Sequence, residues 1–512
     1  MKRMLAGLLL LLMLFPHFAM AGDSAEAPEG FETISSIFEI RASYNRRHER
    51  EIFMPVAQDD YGLWMESGLL TFRGGPMRQN PASGPLETAA GLREVWKVPV
   101  GAAMLEGSAA QGIAWPGQPA IVKWPLEIRH LMDDLYPNKT DTIALKEVIV
   151  AGRDGLVYFW DLLNGEPTRN PIDMGIPGGS VSVCTNFLPI IGVGQSPGSP
   201  PGEYRLFDLI TGKELPMPDS LGNARGSALF DKKTGAMIAG GQNAILYTAE
   251  ITAESDWYRL SQKLNLSFDV QGYQMQVAGQ DEGSNDIATD VAMYRRLAYY
   301  INEMGVLQCV DVNTLSCMWM AHTGDSVVAT PALDYDAQNA KLAVYTGNTI
   351  LRQGEGGVCT IRRYNGITGK EEWAYPVPQL AYSAEHSIGC VASPVVGEGA
   401  LAAYVYFTVT NGEQGSQVIA LRKSNGSVVW SADLATETKS SPVAIYPETG
   451  CPLIVQAESD GKIHLLDALT GEIVSTFAVE GTIEASPAVY RSMLVIGATE
   501  QDTDYLYGIE IY

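Results

Sequence analysis

The sequence predicts an all-β fold: an eight-bladed β-propeller of four-stranded antiparallel blades, closed by an N-terminal strand that completes the last blade. Three observations predict it. A unit built of short strands repeats along the chain. Asn-Gly, Thr-Gly and Ser-Pro steps recur at fixed places within that unit. The chain stops part-way through its last unit, while an orphan strand-like stretch, 90–96, precedes the first.

The repeat is marked where an alternating strand ends in a polar residue before a tight turn. The marks are Asp161, Asp208, Glu250, Asp311, Asn365, Arg422, Asp467 and Glu510, at gaps of 42 to 61 residues. Ahead of two marks a hairpin is legible, 148–159 and 453–466, with Asp154-Gly155 and Asp460-Gly461 at its turn. Such pairs accept positive φ cheaply. Aliphatic runs such as Val148–Val150 and Leu453–Val455 suit strands covered on both faces. After the marks come Asn164-Gly165, Thr211-Gly212, Thr368-Gly369, Asn425-Gly426 and Thr470-Gly471, where the chain turns into an outermost strand. Trp319, Trp373 and Trp430 follow at one fixed offset and are expected to pack between blades. Thr330-Pro331, Ser393-Pro394, Ser441-Pro442 and Ser486-Pro487 should begin innermost strands, because Pro is tolerated there and not in a paired middle.

The chain has 512 residues, of which 46% are hydrophobic and 18% charged, a globular balance. Its formal charge of −24 excludes a basic nucleic-acid footprint and opposes binding to an anionic membrane. Met1–Ala21 reads as a signal peptide: Lys2 and Arg3, an apolar run Met4–Phe15, then Ala19-Met20-Ala21. No Cys lies near that cut, so a lipoprotein is not expected, and no later run is long and apolar enough for a membrane helix. The expected organisation is a signal peptide over 1–21, a partly disordered lead-in over 22–70, and the propeller over 71–512. Its two interruptions fall near 124–146, with a short amphipathic helix, and 251–291, a long polar stretch. The mature protein is expected to be secreted or periplasmic and monomeric.

Six cysteines, at 184, 309, 317, 359, 390 and 451, are too few for a disulfide framework. Cys309 and Cys317 flank the turn Asp311–Ser316 and bridge only if the register sets them opposite. The six His lack ligand spacing, so a zinc site has little support. His322 and His386 lie in connections expected near the central funnel and are the best candidates for ligand contact, though each lacks a second catalytic group. Gly240-Gly241-Gln242 and Gly354–Gly357 lack the Lys-Ser/Thr of a phosphate loop and are read as turns.

The units Cys309-x-Asp311-x-x-Thr314-Leu315-x-x-x-Trp319, Arg363-x-Asn365-x-x-Thr368-Gly369-x-x-x-Trp373 and Ala420-x-Arg422-x-x-Asn425-Gly426-x-x-x-Trp430 resemble the tryptophan-docking repeat of the pyrroloquinoline-quinone (PQQ)-type eight-bladed propellers. Phe72-Arg73-Gly74 resembles the motif that often precedes such propellers. Arg169, Pro216 and Ser475 stand where the docking Trp is expected in three units. The resemblance implies one of two classes. Quinoprotein dehydrogenases would bring PQQ, calcium and an Asp base. Binding and scaffold propellers, similar to BamB, would bring a protein or cell-envelope partner and no chemistry. The vicinal Cys-Cys of the dehydrogenases is missing, as is an Asp-x-Asp-x-Asp calcium loop. The sequence therefore assigns no catalytic, cofactor-binding or metal-binding residue. It favours the non-enzymatic class, with the PQQ/calcium oxidoreductase as alternative and hydrolysis by funnel carboxylates as a third reading.

Overall fold

In a computed structural model the described residues are 33–40, 51–61, 68–102, 117–184, 188–195, 204–218, 224–241, 244–256, 261–277, 286–383, 386–501 and 503–512. The expected signal peptide, 1–21, lies outside them. Eight sheets succeed one another along the described chain, antiparallel except where Ala82–Ser83 pairs parallel to Val489–Tyr490. Blade 1 runs, from the channel outward, Ala120–Val122, Glu147–Ala151, Leu156–Asp161 and Ile172–Asp173. Blades 2 and 3 begin at Gly178 and Ala224, blades 4 to 7 at Ala292, Ala332, Val395 and Val443, and blade 8 at Ala488. The second strands Glu147–Ala151 and Leu453–Ala457 are buried at every position, as their aliphatic runs predict.

The ring closes as the two chain ends require. Leu92–Ala102 runs antiparallel to Thr503–Ile511, from Leu92 opposite Ile511 to Ala102 opposite Thr503. One sheet thus joins residues about 400 positions apart and hides both edges.

Neighbouring blades are fastened by one recurring contact. The indole N–H of Trp319 donates to Gly366 O at 3.0 Å, that of Trp373 to Lys423 O at 2.9 Å, and that of Trp430 to Ala468 O at 3.0 Å. In every case the acceptor is the residue just after the next blade's mark. Trp96, on the closing strand, makes the same bond to Leu162 O at 2.9 Å. Each ring lies flat on the next blade's turn glycine. A Cβ on Gly165, Gly369, Gly426 or Gly471 would meet the indole at 2.6–2.8 Å. These glycines also have positive φ, so two independent constraints exclude a side chain. A bulge in the third and fourth strands recurs beside the Trp, at Cys309/Val310, Arg363/Tyr364 and Ala420/Leu421.

Arg169 replaces the docking Trp of blade 1 and reproduces its bond. Its Nη1 donates to Leu209 O at 3.2 Å, the residue after the mark Asp208. The guanidinium is compensated inside the protein by two bonds of 3.0 Å to Glu147 and by the Phe159 ring 4.9 Å away. Glu147, fully buried, also accepts Trp124 Nε1 at 2.9 Å, so the ion pair has further hydrogen bonds to offset its desolvation.

Three expectations meet a different local structure. Cys309 and Cys317 are free thiols. Cys309 stands opposite Trp319 and Cys317 opposite Val310, so the bulge sends the two sulfurs to opposite faces of blade 4. Over 124–146 the helical periodicity yields two single turns, Leu126–Arg129 and Pro137–Thr140. Between them Asp133 and Tyr136 donate their amides to Ile210 O and Thr168 O, which takes the backbone out of helix. Past the mark Glu250 the strand does not end: Ile245–Asp256 and Ser261–Val277 form a long hairpin, and Thr33–Ile40 pairs on its outer edge.

The docking contact predicts a graded pair of substitutions. Gly175 has φ +70° and open space around it, whereas Gly165 has φ +66° and the Trp96 ring against it. Gly175→Ala should cost about 1–2 kcal/mol of backbone strain. Gly165→Ala should cost about 1–3 kcal/mol more, from overpacking. Urea midpoints of the two variants measure the difference, and equal midpoints would refute the docking role of Trp96.

Candidate functional site

The central channel is occupied by the chain itself. Residues 68–83 thread it and touch the innermost strand of every blade. Gly68–Leu69 pair with Ile121–Val122 of blade 1, and Leu70 O accepts Val183 N of blade 2 at 2.7 Å. Thr71 Oγ1 donates to Ala228 O of blade 3 at 3.1 Å. Pro76 O accepts Met293 N of blade 4, Met77 O accepts Leu333 N of blade 5, and Gln79 O accepts Val396 N of blade 6. Asn80 exchanges two bonds with the Ala444 backbone of blade 7, and Pro81 O accepts Val489 N of blade 8.

Two arginines anchor this plug, and both are fully buried. Arg73 donates to Pro442 O at 2.7 Å and Pro394 O at 2.9 Å, carbonyls that begin the inner strands of blades 7 and 6. Arg78 donates to Val291 O at 2.9 Å, Ser227 O at 2.6 Å and Phe72 O at 2.6 Å. Both have left-handed backbone, φ +58° and +56°. Such geometry is uncommon for a long side chain and persists when surrounding bonds over-determine it. Burial pushes the Arg73 guanidinium down to about 9, which still leaves it charged at neutral pH.

The plug separates two concavities. On the side where inner strands begin lies a funnel of about 420 Å³ floored by Phe72. A hydrogen-bond belt runs around it. Asp290 N donates to Thr330 Oγ1 at 3.2 Å, Thr330 N to Ser393 Oγ at 3.0 Å, Ser393 N to Ser441 Oγ at 3.1 Å, and Ser441 N to Ser486 Oγ at 3.1 Å. The Ser/Thr-Pro openings thus stitch blades 4 to 8 together, each to the next, through the hydroxyl. Funnel carboxylates come from Asp290, Glu303 and Glu484. Lys439 is the cation among the described lining residues, and Glu484 holds it at 2.7 Å.

On the opposite face, around Met77, Gln79 and Asn80, lies a basin of about 1330 Å³. Its wall carries Arg295, Lys341, Arg363, Arg422, Lys423 and Arg491 against Asp60, Asp334, Asp336 and Glu398. Cations therefore outnumber carboxylates here, in a chain of net charge −24. Lys423 is tied to Asp334 at 2.9 Å and Arg363 to Glu372 at 3.0 Å, whereas Arg422 is exposed and lies over Tyr404.

Neither sequence-chosen histidine lines the funnel. His322 ends the outermost strand of blade 4, with Nε2 3.1 Å from Met304 O. His386 sits beside the funnel residue Ser387, but its ring faces Glu437 and Glu413 at 3.5 and 3.8 Å. Gly354 and Gly356 form turns with positive φ. Gly240 instead lies in a strand, where a Cβ would strike Ile287 at 2.6 Å; Gln242 lies outside the described residues. Sequence reasoning named the central funnel but singled out neither Arg78, the basin nor the plug. The one available signal was Phe72-Arg73-Gly74, whose contacts to the blades are distant in sequence.

Fold and channel together define the class: the chain is an eight-bladed β-propeller, and its C-terminal blades carry the PQQ-like, BamB-like repeat. Residues 291–457 and 414–510 match the family described as outer membrane protein assembly factor BamB. Among solved structures, quinohemoprotein alcohol dehydrogenase ADHIIG from Pseudomonas putida is similar in fold, with a TM-score of 0.58 over 89% of this chain and 81% of that one, at 10% identity. BamB from Moraxella catarrhalis aligns over 71% of this chain and 93% of its own, with a TM-score of 0.46 and 16% identity. The beta-alanine-activating enzyme of Mus musculus is 30% identical over 88 residues, 17% of this chain and only 8% of that enzyme's length.

The dehydrogenase likeness makes PQQ and calcium the groups to test against the funnel. PQQ is a flat tricarboxylate and needs cations or many free donors. The described lining offers one lysine, already paired, with three carboxylates around it. Belt hydroxyls accept amide N–H groups between blades and keep an O–H donor each, which supplies no positive charge for a tricarboxylate. Among the described residues no group of three His, Cys, Asp or Glu is placed to hold a metal ion. The described lining residues do not fit that pair of ligands.

Two predictions follow from these environments. Arg78→Met should destabilise by about 3 kcal/mol or more, since it strands several buried carbonyls; a melting temperature within one degree of wild type would contradict the anchoring role. Burial lowers the His322 pKa below its ordinary 6.5, an effect that outweighs the Met304 carbonyl. The unfolded chain then binds the proton more tightly, so His322 contributes stability above pH 6.5 that is lost as pH falls through its folded pKa. His322→Asn should flatten the acid-side slope in that window, read by melting temperature against pH.

Proposed function

We propose that this chain is an exported, non-enzymatic propeller that binds a protein or cell-envelope component through the basin. The plug carries the reading. A propeller that worked on a small molecule would need its channel mouth free and chemically equipped. Here sixteen consecutive residues, 68–83, fill the channel, and the funnel above them is small and acidic. The basin is three times larger, open, and lined by cations and by Tyr335 and Tyr446. Mixed aromatic and arginine surfaces of this kind suit macromolecular contacts. Its cationic excess suits an acidic segment of the partner. Among the described residues no helix is long and apolar enough to cross a membrane, and the N-terminal residues read as a signal peptide, so the partner is sought in the cell envelope.

Crosslinking and affinity capture from the native envelope test this with three proteins. The wild type should recover a partner, Lys341→Glu/Arg422→Glu should lose it at least tenfold, and the funnel variant Glu484→Gln should retain it. Equal recovery by the basin variant would overturn the assignment of that face. A rise in melting temperature on adding PQQ with calcium would favour the oxidoreductase instead.

A further inference from the structure

Away from the funnel and the basin, two thiols meet inside the wall between blades 5 and 6. Cys359 immediately precedes the third strand of blade 5, Thr360–Asn365, and Cys390 lies in the crossing to blade 6. Both are fully buried, and their Sγ atoms are 3.7 Å apart although 31 residues separate them in sequence.

The backbone holds the two together through one residue. Asn348 O accepts Cys390 N at 3.2 Å, and the Asn348 side chain accepts Thr360 N at 2.9 Å, next to Cys359. Gly389 is bridged to Thr349 on one side and to Thr410 on the other. Space is reserved for the sulfur, because a Cβ on Gly347 would sit 2.4 Å from Cys390 Sγ. Two thiols at 3.7 Å are in van der Waals contact. A bond of about 2 Å asks each sulfur to move by about 1 Å, within reach of small χ changes.

We propose that Cys359 and Cys390 are a disulfide site in the exported protein. One thiol, as thiolate, attacks a small-molecule or protein disulfide of the oxidising compartment and releases its first thiol. The second cysteine then displaces the remaining thiol from that mixed disulfide. Two cysteine thiols become one S–S bond, and the oxidising disulfide leaves as two thiols with the two protons and two electrons. The reaction belongs to folding, since the folded wall admits no oxidant. The bond would close a loop holding the third and fourth strands of blade 5, including the docking Trp373, and so restrict the unfolded chain. The location of the oxidant rests on the export reading; the geometry of the pair does not.

The test is refolding of the purified full chain with oxidised glutathione, followed by alkylation without reduction and peptide mapping. Expected are a linked pair of peptides containing Cys359 and Cys390, a product two hydrogens lighter than the reduced chain, and a melting temperature that falls by several degrees on adding dithiothreitol. Cys359→Ser and Cys359→Ser/Cys390→Ser should melt alike and ignore dithiothreitol. Full alkylation of both cysteines after refolding, or linkage of either to another cysteine, would overturn the pair. Should the pair link in vitro yet be found reduced in protein taken from its source, the disulfide site stands as a chemical property and the export reading fails.

Discussion

The innermost strands of a propeller face a channel, and their backbone groups there have no further strand to pair with. In this protein residues 68–83 supply the missing partners. Arg73 and Arg78 are the strongest members of that set, since each guanidinium gathers carbonyls from two adjacent blades, 6 and 7 for Arg73 and 3 and 4 for Arg78. A charge buried without a carboxylate is costly, and it is tolerated here because several carbonyl dipoles converge on each head. Ring and plug are therefore mutually dependent. The belt of Ser and Thr hydroxyls on one side of the plug adds a second circumference of bonds, from blade 4 round to blade 8.

Much of this was legible because the repeat is local. A mark, a glycine and a tryptophan lie within about a dozen residues, and each has one mechanical job: ending a strand, turning the chain, covering the next blade. The closure was legible from the same rule, since a unit without an outer strand needs the strand left over at 92–102. Arg169 reads in the sequence as a missing tryptophan. In space it is a different donor to the same acceptor, and only the buried Glu147 beside it makes the exchange intelligible. The Cys309–Cys317 bridge was excluded by a one-residue bulge, which has no signature in composition. The plug was hardest to foresee, because most of the bonds that tie it to blades 2 to 8 join residues more than a hundred positions apart.

The two faces differ in size and charge. The funnel is narrow, acidic and floored by Phe72, and its hydroxyls already work between blades. The basin is broad and carries a local excess of positive charge on an acidic protein. Such an island of opposite sign directs approach and orientation of a partner more than it sets the final affinity. A fold shared with a quinohemoprotein alcohol dehydrogenase does not by itself fix function, so the residues at each mouth carry that argument.

Amide hydrogen exchange across residues 68–83 and the innermost strands tests the sealed channel most directly. If the plug is part of the ring, the amides of Met293, Leu333, Val396 and Val489, which donate to it, should exchange as slowly as those of the second strands, and Gly74 and Arg78 with them. Exchange of these amides at the rate of exposed loops, while the second strands stay protected, would show an open channel and contradict the account.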